Sequence, residues 1–308
     1  MRRVIGSILI ALGCLLAPFA LTAHWAATDI ADPGRYIRNV SPLAAHPAIK
    51  SAITNRVTDE VVLRLRGLGL SVGGELIRET VKAGVDDDFA IAWVEINKVT
   101  HRRFLAILGH DPNPSAQEED EDDGVGYDFA PVYELVKRKL QIAGMRDAAR
   151  LPESHPVTLL LPTTAMTMID GVYDGLISLR WVLVGMSPVL IAAGVLLMRD
   201  RCVALIGAGL GLAASMLALA IAMSAVRNAY LPGVVAGGLS YAAVVAIFDA
   251  LTAFLRNGLR VIFALGLLVA AAAFFARGRL LRSRLAGAAF EARAHQSAEP
   301  PKDVPEGR

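Results

Sequence analysis

Asp170 and Asp174 lie one helical turn apart in MIDGVYDGLISLRW, while Asp249, Thr252, Arg256 and Arg260 recur at helical spacing in IFDALTAFLRNGLR. Side chains three or four residues apart on a helix share a face, so carboxylates on one helix could meet guanidinium groups on another. Such pairs strengthen where burial lowers the local dielectric. Beside a membrane the same set would suit a lipid headgroup or a protein partner. The competing reading is a polar stripe that faces headgroups and water.

A second concentration of charge is SAQEEDEDDGVGYD, with six consecutive acids at positions 118 to 123. An EF-hand built with Gly124 as its sixth residue puts Ala130 where a bidentate glutamate must stand. The run, 115 to 124, therefore reads as a solvated loop whose like charges keep the chain extended and bind divalent cations only diffusely. His101 in THRRF has Glu95 on a different helical face and reads as a surface histidine rather than a base. His46 precedes Pro47 and reads as a residue that starts a helix. His24 sits beside Trp25 at a membrane interface, where rings with polar tips are favoured. The glycines of GLGLSVGG miss GxGxxG, since the third falls on Val72, and HExxH, GxSxG and SxxK are absent. No catalytic, cofactor-binding or metal-ligating residue is assigned. The two cysteines, Cys14 and Cys202, lie in or beside apolar runs and make no CxxC knuckle.

The elements that must position these residues are mostly apolar. With 54% hydrophobic residues and a mean hydropathy of +0.47, the chain exceeds the apolar share of a soluble domain. Four segments approach the roughly 20 apolar residues that a spanning helix needs: 4 to 27, 181 to 198, 202 to 226 and 261 to 276. Residues 1 to 27 also resemble a signal peptide, but the apolar run is longer than the usual h-region and is read as an uncleaved anchor. Arg2, Arg3, Arg199, Arg201, Arg277, Arg279, Arg282 and Arg284 fall on one side if there are four spans, which makes that side cytoplasmic. The stretch 239 to 256 then becomes an amphipathic helix on the outer surface leading into the last span. Residues 181 to 198 and 202 to 226 hold no ionisable side chain apart from Cys202 at the border, which argues against an ion pathway. Gly207 and Gly211 form GxxxG, a face for close helix packing.

Residues 28 to 178 carry 23 acids and 16 bases, a net of −7, while the rest of the chain carries +9. Nothing in this split resembles a nucleic-acid footprint. Ile49, Ile53, Val57 and Val61 make one apolar helix face. A short helix is expected around ELIRETVKA, then a separate one opened by capping aspartates in DDDFAIAWVEINKVTHRRFLAIL, with Phe89, Trp93, Ile96, Thr100, Phe104 and Ile107 aligned. PVYELVKRKLQIAG reads as another helix, and VGYDF and VTLLLP as a minimal strand pair that needs a helix packed on it.

The order of RYIRNVSPLAAHPAIKSAITNRVTDEV, DDFAIAWVEINKVTHRRF, VGYDFAPVYELVKRKL and IFDALTAFLRNGLRVIFALG resembles a family of uncharacterised integral membrane proteins common in actinobacteria. That resemblance implies one N-terminal span, an extracytoplasmic, mostly helical domain and three C-terminal spans, and it transfers no activity or site residue. The long acidic insertion departs from the pattern.

The expected fold is a mainly α membrane protein with four transmembrane helices and an extracytoplasmic helical domain carrying a small β element. Its parts are an anchor, 1 to 27; the outer domain, 28 to 178; a three-helix membrane region, 179 to 285; and a disordered cytoplasmic tail, 286 to 308. The expected function is that of a noncatalytic, multi-pass protein of the bacterial plasma membrane, both termini cytoplasmic, whose outer domain binds a protein partner or cell-envelope component. The expected partners include the lipid bilayer and a second copy of the chain. The alternatives are a membrane-anchored envelope enzyme and an accessory subunit of a transporter or secretion system.

Overall fold

Helical periodicity is realised along most of the chain. The computed structural model describes residues 1–69, 74–109, 125–142, 144–151, 157–161, 163–236 and 240–297; the acidic run 115 to 124 and residues 298 to 308 lie outside them. The helices are α1 (Arg2–Trp25), α2 (Pro33–Val40), α3 (Pro47–Gly67), α4 (Gly74–Ile107), α5 (Ala130–Ile142), α6 (Thr163–Leu197), α7 (Arg201–Ala236), α8 (Tyr241–Leu251) and α9 (Ala253–Ser297). A π-helical turn, Ala26–Ile30, follows α1, and among the described residues two strands, β1 (Val125–Asp128) and β2 (Val157–Leu161), form one ladder. Among the described residues, four segments are long and apolar enough to cross a membrane: Arg2–Ile30, Tyr173–Leu197, Arg201–Ala229 and Ala253–Arg279. The chain is accordingly a multi-pass membrane protein. The expected tail is corrected in part, because α9 continues as helix through residues 286 to 297.

The chain divides into two units. The first comprises Met1–Pro18, Gly185–Leu217 and Arg260–Arg308. Within it α1 and α6 pack antiparallel through glycines: a Cβ on Gly194 would stand 2.7 Å from the Gly6 carbonyl oxygen, and one on Gly13 would stand 2.9 Å from that of Ser187. Ser187 Oγ donates to the Gly13 carbonyl at 2.9 Å, closing the same contact. On α7 and α9, a Cβ on Gly266 would meet the Gly209 carbonyl oxygen at 2.7 Å. Cys14 is buried with Ile10, Ala204 and Ala208. The GxxxG expectation is corrected here. Gly207 faces open space and Gly211 makes room for Cys14, so the closest crossings use Gly6, Gly13 and Gly194, and Gly209 with Gly266.

The second unit comprises Phe19–Val184 and Ala218–Leu259. His46 starts α3, its Nδ1 accepting the Ala48 N–H at 3.2 Å, with Pro47 in the first turn where a missing N–H costs nothing. Ile49, Ile53, Val57, Val61 and Leu65 of α3 are buried with Ile77, Val81, Val85, Phe89 and Trp93 of α4. The expected break before DDDFAIAW does not exist, because α4 is continuous over 34 residues. Its aspartates sit in mid-helix. Asp86 pairs with Lys50 on α3 at 3.0 Å and Asp88 with Lys139 on α5 at 3.3 Å, so they clip neighbouring helices instead of capping a new one. Ile107 is 40% exposed, and Leu105 and Leu108 take its expected place inside.

β1 pairs antiparallel with β2, from Val125↔Leu161 to Asp128↔Val157. A two-stranded ladder is marginal by itself, and here α4 supports it. Thr100 Oγ1 donates to the Gly126 carbonyl at 3.2 Å, and the Tyr127 ring lies 5.4 Å from that of Trp93.

α8 departs most from the sequence reading. It was expected to be a surface helix, but Ala243, Val244 and Ile247 are buried in the same core as Ile49, Trp93 and Phe129. A stretch 65 residues beyond position 178 therefore completes the core begun by residues 28 to 178.

Candidate functional site

The polar set singled out by its spacing is built around a joint between two helices. Ser240 starts α8, its Oγ accepting the Ala243 N–H, and the helix stops at Thr252, whose hydroxyl donates to the Phe248 carbonyl at 2.7 Å. The Leu251 carbonyl accepts the indole N–H of Trp25 at 2.9 Å. Arg256, in the first turn of α9, reaches back with Nη1 to Asp249 Oδ1 at 2.6 Å and with Nη2 to the Asp249 carbonyl at 2.7 Å. Asp249 and Arg256 thus meet across a helix break and do not share one continuous face. Their side chains are 41% and 37% exposed. An ion pair so open to solvent contributes up to about 1 kcal/mol, and it links the two helices across the joint.

Of Asp170, Asp174 and Arg260, the side chains of Asp174 and Arg260 are described. Arg260 is exposed and makes no ion pair among the described residues. Asp174 is exposed beside the buried Tyr173 on α6. Asp170 belongs to α6, with its side chain outside the described residues. The structure brings together Asp249, Thr252 and Arg256, and Arg256 spends its described hydrogen bonds on Asp249.

A denser polar cluster lies inside α4. Trp93 Nε1 donates to the Val40 carbonyl at 2.8 Å. Asn97, fully buried, donates through Nδ2 to the Trp93 carbonyl at 2.8 Å. Its Oδ1 accepts the hydroxyls of Tyr36 at 3.4 Å and Tyr127 at 3.3 Å. One amide therefore ties α2 and β1 to α4. His101, one turn further on, is 2% exposed, which overturns its reading as a surface histidine. Its Nε2 lies 2.7 Å from the Ile30 carbonyl and its ring stacks on Tyr36 at 4.2 Å. Asp29, in the π-helical turn, accepts from Asn39 Nδ2 at 3.2 Å. Because the spacing from Glu95 to His101 tests only contacts along one helix, it could not show a partner 71 residues earlier in the chain.

Burial holds the His101 imidazole below its ordinary pKa, opposed by the hydrogen bond to Ile30 and by the Asp32 charge. The unfolded chain consequently takes up this proton first. The contribution is intact above the ordinary histidine value of 6.5 and is lost as pH falls below it towards the lower folded value. Thermal midpoints in mild detergent should decline on acidification through that window, by no more than about 1.4 kcal/mol of stability per pH unit from this group. His101→Phe should be less stable at neutral pH and should lose that share of the pH slope.

Apolar surface is exposed where α3 ends and α4 begins: Leu63 is 64% exposed, Leu68 44% and Leu76 56%. At the opposite end of α4, Leu108 packs with Ala26 and Tyr173, and Phe104 borders them. The rise between Leu76 and Leu105 is about 44 Å at 1.5 Å per residue. Among the described residues no three His, Cys, Asp or Glu side chains are grouped to hold a metal ion. The crevice between Ile49, Ile53, Trp93, Phe129 and Ile247 is apolar and too narrow for a water molecule. Comparison with protein-family models, curated proteins and solved structures returns no match to this chain.

Proposed function

We propose that this chain is a noncatalytic plasma-membrane protein of the bacterial envelope, with both termini cytoplasmic and an extracytoplasmic helical unit that binds a protein partner or envelope component. The reading rests on the exposed leucines at the α3–α4 end, Leu63, Leu68 and Leu76. Leucines exposed together beside one helix-to-helix connection are the kind of apolar surface that interaction sites present. The polar side chains further along α4 offer no competing site, because Trp93, Asn97, Thr100 and His101 all bond within the fold. The resemblance to actinobacterial membrane proteins of the same span order agrees with this arrangement.

Orientation follows from charge. Arg2, Arg3, Arg199, Arg201, Arg277 and Arg279 flank the apolar helices, and short cytoplasmic segments are the ones enriched in arginine. Residues 28 to 178, at net −7, then face outward.

Co-purification in mild detergent tests the binding function. Wild-type protein should retain a stoichiometric partner, and a chain carrying Leu63→Glu, Leu68→Glu and Leu76→Glu should lose it while keeping its helical content. Equal recovery of that partner by both chains would reject the leucines as the site.

A further inference from the structure

The first unit carries a second surface that has nothing to do with the exposed leucines. Helix contacts fix its geometry. Met198 lies against Gly6, which places Arg199 next to the residue that touches α1 and Arg3 less than one turn from the same contact. Arg201 follows through Asp200. Gly209 on α7 lies against Gly266 and Ala270 on α9. Stepping back from Gly209 to Arg201 and forward from Ala270 to Arg277 and Arg279 covers the same rise, about 12 Å. Six arginines, contributed by α1, the α6–α7 turn, α7 and α9, therefore gather at one end of the unit.

All six are exposed, and none makes an ion pair among the described residues. Asp200 is the only acid among residues 1 to 3, 199 to 201 and 277 to 279. The guanidinium groups thus retain donor pairs whose planar fork matches two oxygens of a phosphate. Their depth selects the source of that phosphate. Arg2, Arg201 and Arg279 are terminal residues of three membrane-crossing segments, and Arg199 stands two residues beyond the end of the remaining one, at Leu197. When the apolar lengths lie in hydrocarbon, these side chains stand at headgroup level, where long cationic side chains extend towards lipid phosphates.

We propose that this cluster of arginines binds the headgroup phosphates of anionic phospholipids, so that the bundle carries acidic lipid at one end. The inference requires that the four apolar helices lie in a bilayer, and it is independent of what the other unit binds.

The test uses the full chain purified in a neutral detergent and incubated with micelles carrying equal phosphatidylglycerol and phosphatidylcholine. Lipid retained after washing is counted by mass spectrometry. The wild type should enrich phosphatidylglycerol several-fold. Replacing Arg199, Arg201, Arg277 and Arg279 by glutamine should return retention to parity, whereas Arg66→Gln on α3 should leave the enrichment intact. Wild-type protein provides a check that does not depend on how the variant folds. Its enrichment should collapse when salt is raised from about 0.1 M to about 1 M, as the Debye length falls from about 10 Å to about 3 Å. Parity in the wild type at low salt, or enrichment unchanged in the four-arginine variant, would overturn the proposal. So would displacement of lipid by inorganic phosphate far beyond that by chloride at equal ionic strength, which would mark a site for the free anion.

Discussion

Ile247→Asp should unfold the second unit, although position 247 lies outside the 28 to 178 segment that holds most of its core. Ile247 is 8% exposed and packs in one cluster with Ile49, Ile53, Trp93 and Phe129. Truncating a buried isoleucine costs about 2–5 kcal/mol. Placing a carboxylate there adds the larger cost of desolvating a charge that has no partner in an apolar crevice. A domain's whole stability is only about 5–15 kcal/mol, so the substitution removes most or all of it. By the same argument, residues 28 to 178 expressed alone should lack the fixed environment of Trp93, because Ala243, Val244 and Ile247 are missing from the core. Near-UV circular dichroism and limited proteolysis measure this. The expected result is a weak aromatic signal and rapid cleavage. A cooperative unfolding transition in the isolated segment would show that α8 is dispensable.

The second large effect is expected at Gly194. A Cβ there would fall 2.7 Å from the Gly6 carbonyl oxygen and 3.0 Å from the Ile10 nitrogen, and neither backbone atom can move without shifting α1. Gly194→Leu should therefore push α1 off α6. It should break the Ser187 hydrogen bond to the Gly13 carbonyl as well as the glycine crossing. Overpacking of this kind costs about 1–3 kcal/mol and more where backbone must shift. Thermal unfolding in detergent should show the loss. Gly207→Leu is the matched control: nothing lies within 4 Å of a Cβ at that position, so the unit should keep its stability. The opposite ranking would favour GxxxG at Gly207 and Gly211 as the packing face.

These two effects show what the sequence could and could not disclose. The four apolar helices were legible because a bilayer imposes length and hydropathy on each segment separately. The α3 face was legible because Ile49, Ile53, Val57 and Val61 repeat at helical spacing within one element. What escaped depends on contacts distant in the chain. α8 is apolar and lies between a membrane helix and the last span, and only its packing on α3 and α2 reveals it as core. His101 looked exposed because its partner is the Ile30 carbonyl, which no residue type advertises. Glycine crossings were sought as GxxxG, but Gly6 and Gly13 are seven apart, a spacing that also keeps residues on one side of a helix. The DDD run suggested a cap because aspartates favour that position, but α4 runs on through it, so the helix's own carbonyls accept the N–H groups that a cap would serve. In the polar set, spacing placed Asp249, Thr252, Arg256 and Arg260 on one helical face, but the helix breaks at Thr252 and Asp249 meets Arg256 across that break.

Single-cysteine labelling in intact cells tests most directly the proposed orientation, with residues 28 to 178 outside the cytoplasm and the C-terminal end of α9 inside it. In a chain with Cys14→Ser and Cys202→Ser, cysteine replaces either Ile142, which is 82% exposed, or Gly278, which is exposed on α9. A membrane-impermeant maleimide should label the Ile142→Cys chain in intact cells and the Gly278→Cys chain only after lysis. Labelling of Gly278→Cys before lysis, with Ile142→Cys protected, would contradict the account.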